Sequence, residues 1–182
     1  MVALTALLLP ILLSAVALFF ASFVSWMVVP NHNSDWGALP NEDGITDAIR
    51  SAGVAPGNYM FPYAPPKDRQ SPEHMAKVER GPMGVITVFP GMTMGRNLGL
   101  TFLTFLLASA CLAYLATLGL QPGATFREVF RFLSTAAFLT FATSVVQHAI
   151  WFRCRIVGHV LEAIVYAAIV GAIFGAMWPA AQ

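Results

Sequence analysis

The amino-acid sequence predicts an all-α integral membrane protein with four transmembrane helices and a mixed, mostly irregular extramembrane segment between helices 1 and 2. Three observations carry this reading. Hydrophobic residues make up 57% of the chain and charged residues only 10%, whereas soluble domains run near a quarter charged and need polar surface to stay dispersed. Four apolar stretches each approach or exceed the roughly 20 residues that a helix needs to cross a bilayer. Trp26, Trp151 and Trp178 each fall at the end of one of those stretches, where indole rings prefer the headgroup level.

The first span runs from about Thr5 to Val29 and closes at Trp26 and Pro30. Its start, Met1-Val2-Ala3-Leu4, has no positive charge and its apolar run outlasts the core of a signal peptide, so a retained helix is expected. Pro10 predicts a kink or a late start. The second span covers Leu98 to Leu120 and ends at the Gln121-Pro122-Gly123 turn; the third covers Phe132 to Trp151; the fourth covers Ile156 to Trp178 and stops at Pro179. The chain then divides into 1–30, the first helix, 31–97, an extramembrane segment, and 98–182, the remaining three helices.

Four spans place both termini on one side with the connection from Gln121 to Arg131. Lysine and arginine then divide as Arg127 and Arg131 against Arg50, Lys67, Arg69, Lys77, Arg80, Arg96, Arg153 and Arg155. The excess of positive charge favours the cytoplasm for the long segment and the periplasm for the termini. A net charge of +1 with no basic stripe argues against a nucleic-acid partner. Cys111 and Cys154 have no metal-ligand spacing and read as small apolar-segment residues.

Within 31–97, Asn41-Glu42-Asp43 supplies a cap and an acidic first turn for a short helix striped by Ile45, Ala48 and Ile49 and stopped at Gly53. A second helix is expected from Ser71, as N-cap, through Arg80, with Pro72 in its first turn and Gly81 ending it. Val54 to Pro62 reads as extended and turn-rich, and Met83 to Pro90, with β-branched Val85, Ile86, Thr87 and Val88, as a short strand or an interfacial stretch. The segment is expected to cap the helix ends or to dock another protein. No glycine-rich phosphate loop and no Ser-His-Asp spacing is present, so no cofactor and no catalytic residue is assigned.

A family resemblance emerges from this segment outward. Ser34-Asp35-Trp36, Leu39-Pro40-Asn41-Glu42-Asp43, the run from Ala52 to Pro62 and Arg80-Gly81-Pro82-Met83-Gly84 carry it. So do Met94-Gly95-Arg96, Phe130-Arg131-Phe132 and Ile150-Trp151-Phe152-Arg153. Over nearly its whole length the chain resembles a family of small uncharacterised bacterial membrane proteins. The resemblance implies four helices and a bacterial cytoplasmic membrane; it implies no catalytic residues.

Helices in lipid associate through close backbone approach and polar contacts. Small residues recur at spacing four in each span: Ala17, Ala21 and Ser25; Ser109, Ala113 and Thr117; Ala136, Thr140 and Ser144; and Ala163, Ala167, Gly171 and Gly175. Each set shares a helix face. The ladders pack the bundle, or the fourth also pairs with a second copy or a membrane-protein partner.

Ionisable groups at membrane depth are candidates for function. His148 lies in the last turns of the third span, His159 and Glu162 share a face at the start of the fourth, and Arg153 and Arg155 occupy the turn between. The four-span topology brings these to the same side as His32 and Asp35. Three readings stay open. Glu162 pairs with Arg153, Arg155 or His159 while His32 and Asp35 are solvated. Glu162 and His148 serve a proton or ion path. Or His148, His159, Glu162 and His32 bind a metal. The functional expectation is a non-enzymatic accessory, assembly or scaffold subunit, with a small oligomeric transporter or channel as first rival and a metal- or His/Glu-dependent membrane enzyme as second.

Overall fold

The computed structural model describes residues 2–181. In chain order the elements are α1 (Leu8–Met27), α2 (Glu42–Ser51), β1 (Gly57–Phe61), α3 (Pro72–Arg80), β2 (Gly84–Val88), α4 (Met94–Gly119), α5 (Phe126–Phe152) and α6 (Val157–Ala176). They form two units, Met1–Gly37 with Met94–Gln182, and Ala38–Thr93. The boundary differs from the expected 31–97, because residues 31–37 stay with the helices, anchored by the side chains of His32 and Asp35.

In the first unit, α1, α4, α5 and α6 are long and apolar enough to cross a membrane. A 3-10 turn over Leu4–Leu7 precedes α1, so of the two consequences foreseen for Pro10 the late start is the one found. Proline is tolerated there because first-turn N–H groups have no partner inside a helix.

The third spanning helix starts at Phe126, well ahead of the expected Phe132. The reason is a reciprocal cap: Glu128 N donates to Thr125 Oγ1 at 3.4 Å, and Thr125 N donates to Glu128 Oε2 at 2.8 Å. Such a box satisfies two donors that the helix leaves open. Thr125→Ala is expected to lower stability by about 1 kcal/mol, read as faster amide exchange confined to the first turn of α5.

Helix α1 packs against α4 and α6, and α6 packs against α5. Large and small side chains mix on both helices: α1 buries Pro10, Ile11, Ser14, Ala15 and Leu18, and α4 buries Phe105, Ser109, Leu112, Ala113, Ala116 and Thr117. The ladder Ala17, Ala21 and Ser25 is only half-buried, and in α5 Thr140 and Ser144 are exposed while Val129, Leu133 and Ala137 are buried. The first and third ladders therefore do not form the principal buried faces.

The α6 ladder is buried at Ala163, Ala167 and Gly171. A Cβ on Gly171 would lie 2.9 Å from the Phe130 ring and 3.0 Å from the Phe130 carbonyl oxygen, and one on Gly175 would lie 2.8 Å from Phe126. The glycine groove is thus occupied by α5 of the same chain. At the far end, Trp178 Nε1 donates to Gln121 O at 2.9 Å and Gly123 N donates to Pro179 O at 2.8 Å. These bonds tie the end of α6 to the α4–α5 turn.

The second unit is more regular than expected. Strands β1 and β2 pair antiparallel from Gly57 opposite Val88 to Phe61 opposite Gly84, and Thr87 Oγ1 donates to Asn58 Oδ1 at 2.9 Å. The apolar stretch after Met83 is therefore a strand over Gly84–Val88. Ser71 caps α3 by accepting from His74 N at 3.2 Å. Asn41 does not cap α2: it sits in the left-handed region at φ 52° and its side chain makes no cap bond.

Candidate functional site

Where α1 ends, Pro30–His32 forms a 3-10 turn that swings the chain back over the helix end. Asn31 and Ser25 share a side-chain hydrogen bond at 3.0 Å. The Trp26 indole stacks on the His32 imidazole, with ring centroids 4.0 Å apart and planes 4° from parallel. On the other side His32 meets α6 at Gly158, where a Cβ would fall 2.9 Å from His32 Cε1 and from the Asn31 carbonyl oxygen. Only glycine permits that approach. His32 is held between an indole and a bare backbone and is 4% exposed.

This packing closes a ring of two imidazoles and two carboxylates. His32 Nδ1 lies 2.7 Å from Asp35 Oδ2, and His32 Nε2 lies 3.4 Å from Glu162 Oε1. His159 Nε2 lies 3.7 Å from Asp35 Oδ2, and His159 Nδ1 lies 3.7 Å from Glu162 Oε2. Each ring nitrogen faces a carboxylate oxygen, and each carboxylate stands between both imidazoles. Tyr166, one turn further along α6, donates to Glu162 Oε1 at 3.1 Å.

The chemistry of such a ring is constrained. A neutral imidazole has one N–H and one lone pair, and a lone pair facing an ionised carboxylate across a buried site is unfavourable. The ring is satisfied when extra protons occupy the contacts or when a cation sits among them. Buried charges left without either cost several kcal/mol.

Of the residues singled out from the sequence, His32, Asp35, His159 and Glu162 come together. Asp35 is only 10% exposed on its side chain, so neither it nor His32 is solvated as the pairing reading supposed. Arg153 and Arg155 make no ion pair among the described residues. Arg153 instead ends α5 in the left-handed conformation at φ 53°. His148 lies outside the ring, tilted against Phe152 at 4.5 Å. His148, Arg153 and Arg155 line a cavity of about 680 Å³ whose wall also includes Asp35, Trp36 and His159. A smaller cavity of about 220 Å³ reaches the ring at His159, Glu162 and Tyr166 from within the bundle.

Trp26 and Tyr166 were not foreseen as members of the site. Trp26 reads from the sequence as a headgroup-level residue, and Tyr166 sits four residues beyond Glu162, the spacing that puts two side chains on one helix face. A second legible signal is the repeated pattern His-x-x-carboxylate, once as His32 and Asp35 and once as His159 and Glu162.

Fold and site together define a helical bundle of membrane-crossing length and composition that carries a buried imidazole–carboxylate ring at one end. Comparison with protein-family models, curated proteins and solved structures finds no match to the chain.

Proposed function

We propose that the chain is a multi-pass protein of the bacterial cytoplasmic membrane and acts as a non-enzymatic accessory, assembly or scaffold subunit of a membrane complex. Residues 31–97 lie in the cytoplasm and both termini in the periplasm. The observation that carries the reading is the two-stranded β1–β2 sheet. A two-stranded sheet is marginal in water unless one face is packed, yet Tyr59, Met60, Phe61 and Val85 are all exposed. Met83, Phe89 and Met92, flanking β2, are more than two-thirds exposed. A sheet of this kind gains its stability from whatever covers it, and for an accessory subunit the cover is a partner protein.

The transporter rival lacks a conduit. Between the ring at one end and Arg131 at the other, α1, α4, α5 and α6 carry no charged residue, and an ion crossing an apolar bundle needs polar groups along its route. The resemblance to bacterial membrane proteins and the lysine and arginine distribution support compartment and orientation.

A photo-crosslinking residue placed at Met60 or Phe89 in intact membranes tests the reading. One specific protein band at both positions is expected, lost when the flanking Tyr59 and Phe61 are replaced by serine. Adducts with lipid alone contradict it. Orientation is read from Cys154, which is exposed at the end of α5, against Cys111 on the outward face of α4. A membrane-impermeant maleimide is expected to label Cys154 in inside-out vesicles and to leave it unlabelled in spheroplasts. The opposite pattern reverses the orientation.

A further inference from the structure

We propose that His32, Asp35 and His159 bind one divalent first-row transition-metal ion, with Glu162 holding the far edges of both imidazoles. The inference goes beyond the accessory-subunit reading and stands without it. One donor atom from each of the three residues lies within 4.8 Å of the others. In a tetrahedral shell with bonds of about 2.0–2.1 Å, neighbouring donor atoms stand about 3.3 Å apart. The 2.7 Å between His32 Nδ1 and Asp35 Oδ2 and the 3.7 Å between His159 Nε2 and Asp35 Oδ2 bracket that value. Small side-chain adjustments bring the donors to bonding positions.

The remaining nitrogens decide the assignment. His32 Nε2 is buried and has no hydrogen-bond partner, although it faces Glu162 Oε1 at 3.4 Å. Buried polar atoms are nearly always satisfied. If His32 Nδ1 and His159 Nε2 bind an ion, the imidazole protons reside on His32 Nε2 and His159 Nδ1, the two nitrogens that face Glu162. Glu162 then accepts from both rings and is itself oriented by the Tyr166 hydroxyl at 3.1 Å. Ligating histidines commonly present their second N–H to a carboxylate, which sets the tautomer and raises ligand basicity. One carboxylate serves both ligands here.

Three protein ligands leave a coordination position open, as in exchangeable or reactive zinc sites and in two-histidine, one-carboxylate ferrous sites. Asp35 and His159 also line the cavity of about 680 Å³, which gives an ion a way in and an external ligand room beside it. Trp26 and Gly158 keep His32 in place whether or not an ion is bound. His148 stands outside this set.

The test uses the full chain in mild detergent, stripped with chelator and titrated separately with Co²⁺, Zn²⁺ and Fe²⁺ under argon. About one ion per chain is expected, and the cobalt form is expected to show d–d absorption of a low-coordinate nitrogen–oxygen site. Asp35→Asn and His159→Gln are expected to abolish the cobalt spectrum. Glu162→Gln is expected to weaken affinity by about 10- to 100-fold, the usual scale for an outer-shell partner. His148→Gln, outside the set, is expected to leave the cobalt spectrum unchanged. Zinc binds such donors more tightly than ferrous iron in general, so the ion that co-purifies with the chain before chelation separates the two candidates. Absence of saturable binding by the wild-type chain overturns the proposal without reference to any variant. So does a cobalt spectrum that survives Asp35→Asn, or one that is lost with His148→Gln.

Discussion

Gly171→Leu is expected to unfold the α5–α6 hairpin of the single chain, not merely to separate two chains. The first atom that a side chain meets at this position belongs to the Phe130 ring, at 2.9 Å, and the next to the Phe130 carbonyl oxygen, at 3.0 Å. A ring can rotate away; a helix carbonyl cannot move without disturbing its own helix. Leucine adds three further carbons beyond the Cβ into a seam already filled by Val129, Leu133, Val170 and Phe174, all fully buried. Overpacking of close-fitted interiors costs about 1–3 kcal/mol and occasionally more, and the backbone clash puts this substitution at the upper end. Gly175→Leu meets the Phe126 ring at 2.8 Å and the Phe126 carbonyl oxygen at 3.2 Å; the ring is half-exposed and has room to swing out, and the carbonyl stands slightly further off than at Gly171, so the expected loss is smaller. Ala172→Leu, on the exposed side of α6, is expected to be tolerated. Titration of the purified chain with sodium dodecyl sulfate, followed by circular dichroism, ranks the three. Equal loss for Gly171→Leu and Ala172→Leu would contradict the packing described.

His32→Ala is expected to be the most damaging single change at the ring. It removes one partner from Asp35 and one from Glu162 together, and both carboxylates are nine-tenths buried on their side chains. Leaving a buried polar group without its partner costs about 1–3 kcal/mol, and more where the survivor is charged, because it keeps its desolvation penalty without compensation. The deletion also opens space beneath the Trp26 ring, which stacks on His32 at 4.0 Å. Two consequences are measurable: a large drop in the detergent concentration at mid-unfolding, and a shift of tryptophan fluorescence as Trp26 loses its neighbour. His148→Ala removes a residue that touches neither carboxylate among the described contacts and is expected to change neither reading.

These effects show which parts of the molecule could be read without coordinates. The four long helices were legible because an apolar run of that length has few alternatives. Their ends were less so. Arg127, Glu128 and Arg131 lower the hydropathy at the start of α5 and hid the helix there, although Thr125 and Glu128 carry the capping-box spacing. The β1–β2 pairing was not legible, because its partners are separated by α3 and register is a long-range property. The packing faces were legible in part. Small residues at spacing four mark a possible close approach, but whether a second helix answers with small or large side chains depends on the partner, as Phe130 against Gly171 illustrates. At the site, topology brought the right end of the bundle together. It could not show that Gly158 admits His32 into the bundle, that Asp35 follows it out of solvent, or that the nearby arginines stay apart from both carboxylates.

His32, leaving α1, and Glu162, on α6, act as one buried unit that locks the end of the bundle. A double-mutant cycle with His32→Gln and Glu162→Gln, read as unfolding free energy in detergent, tests it most directly. Coupling of about 0.5–3 kcal/mol is expected, with the double variant clearly less damaged than the sum of the single ones, as residues of one buried network behave. Additive losses would mean that the two side chains do not sense each other, and would contradict the ring.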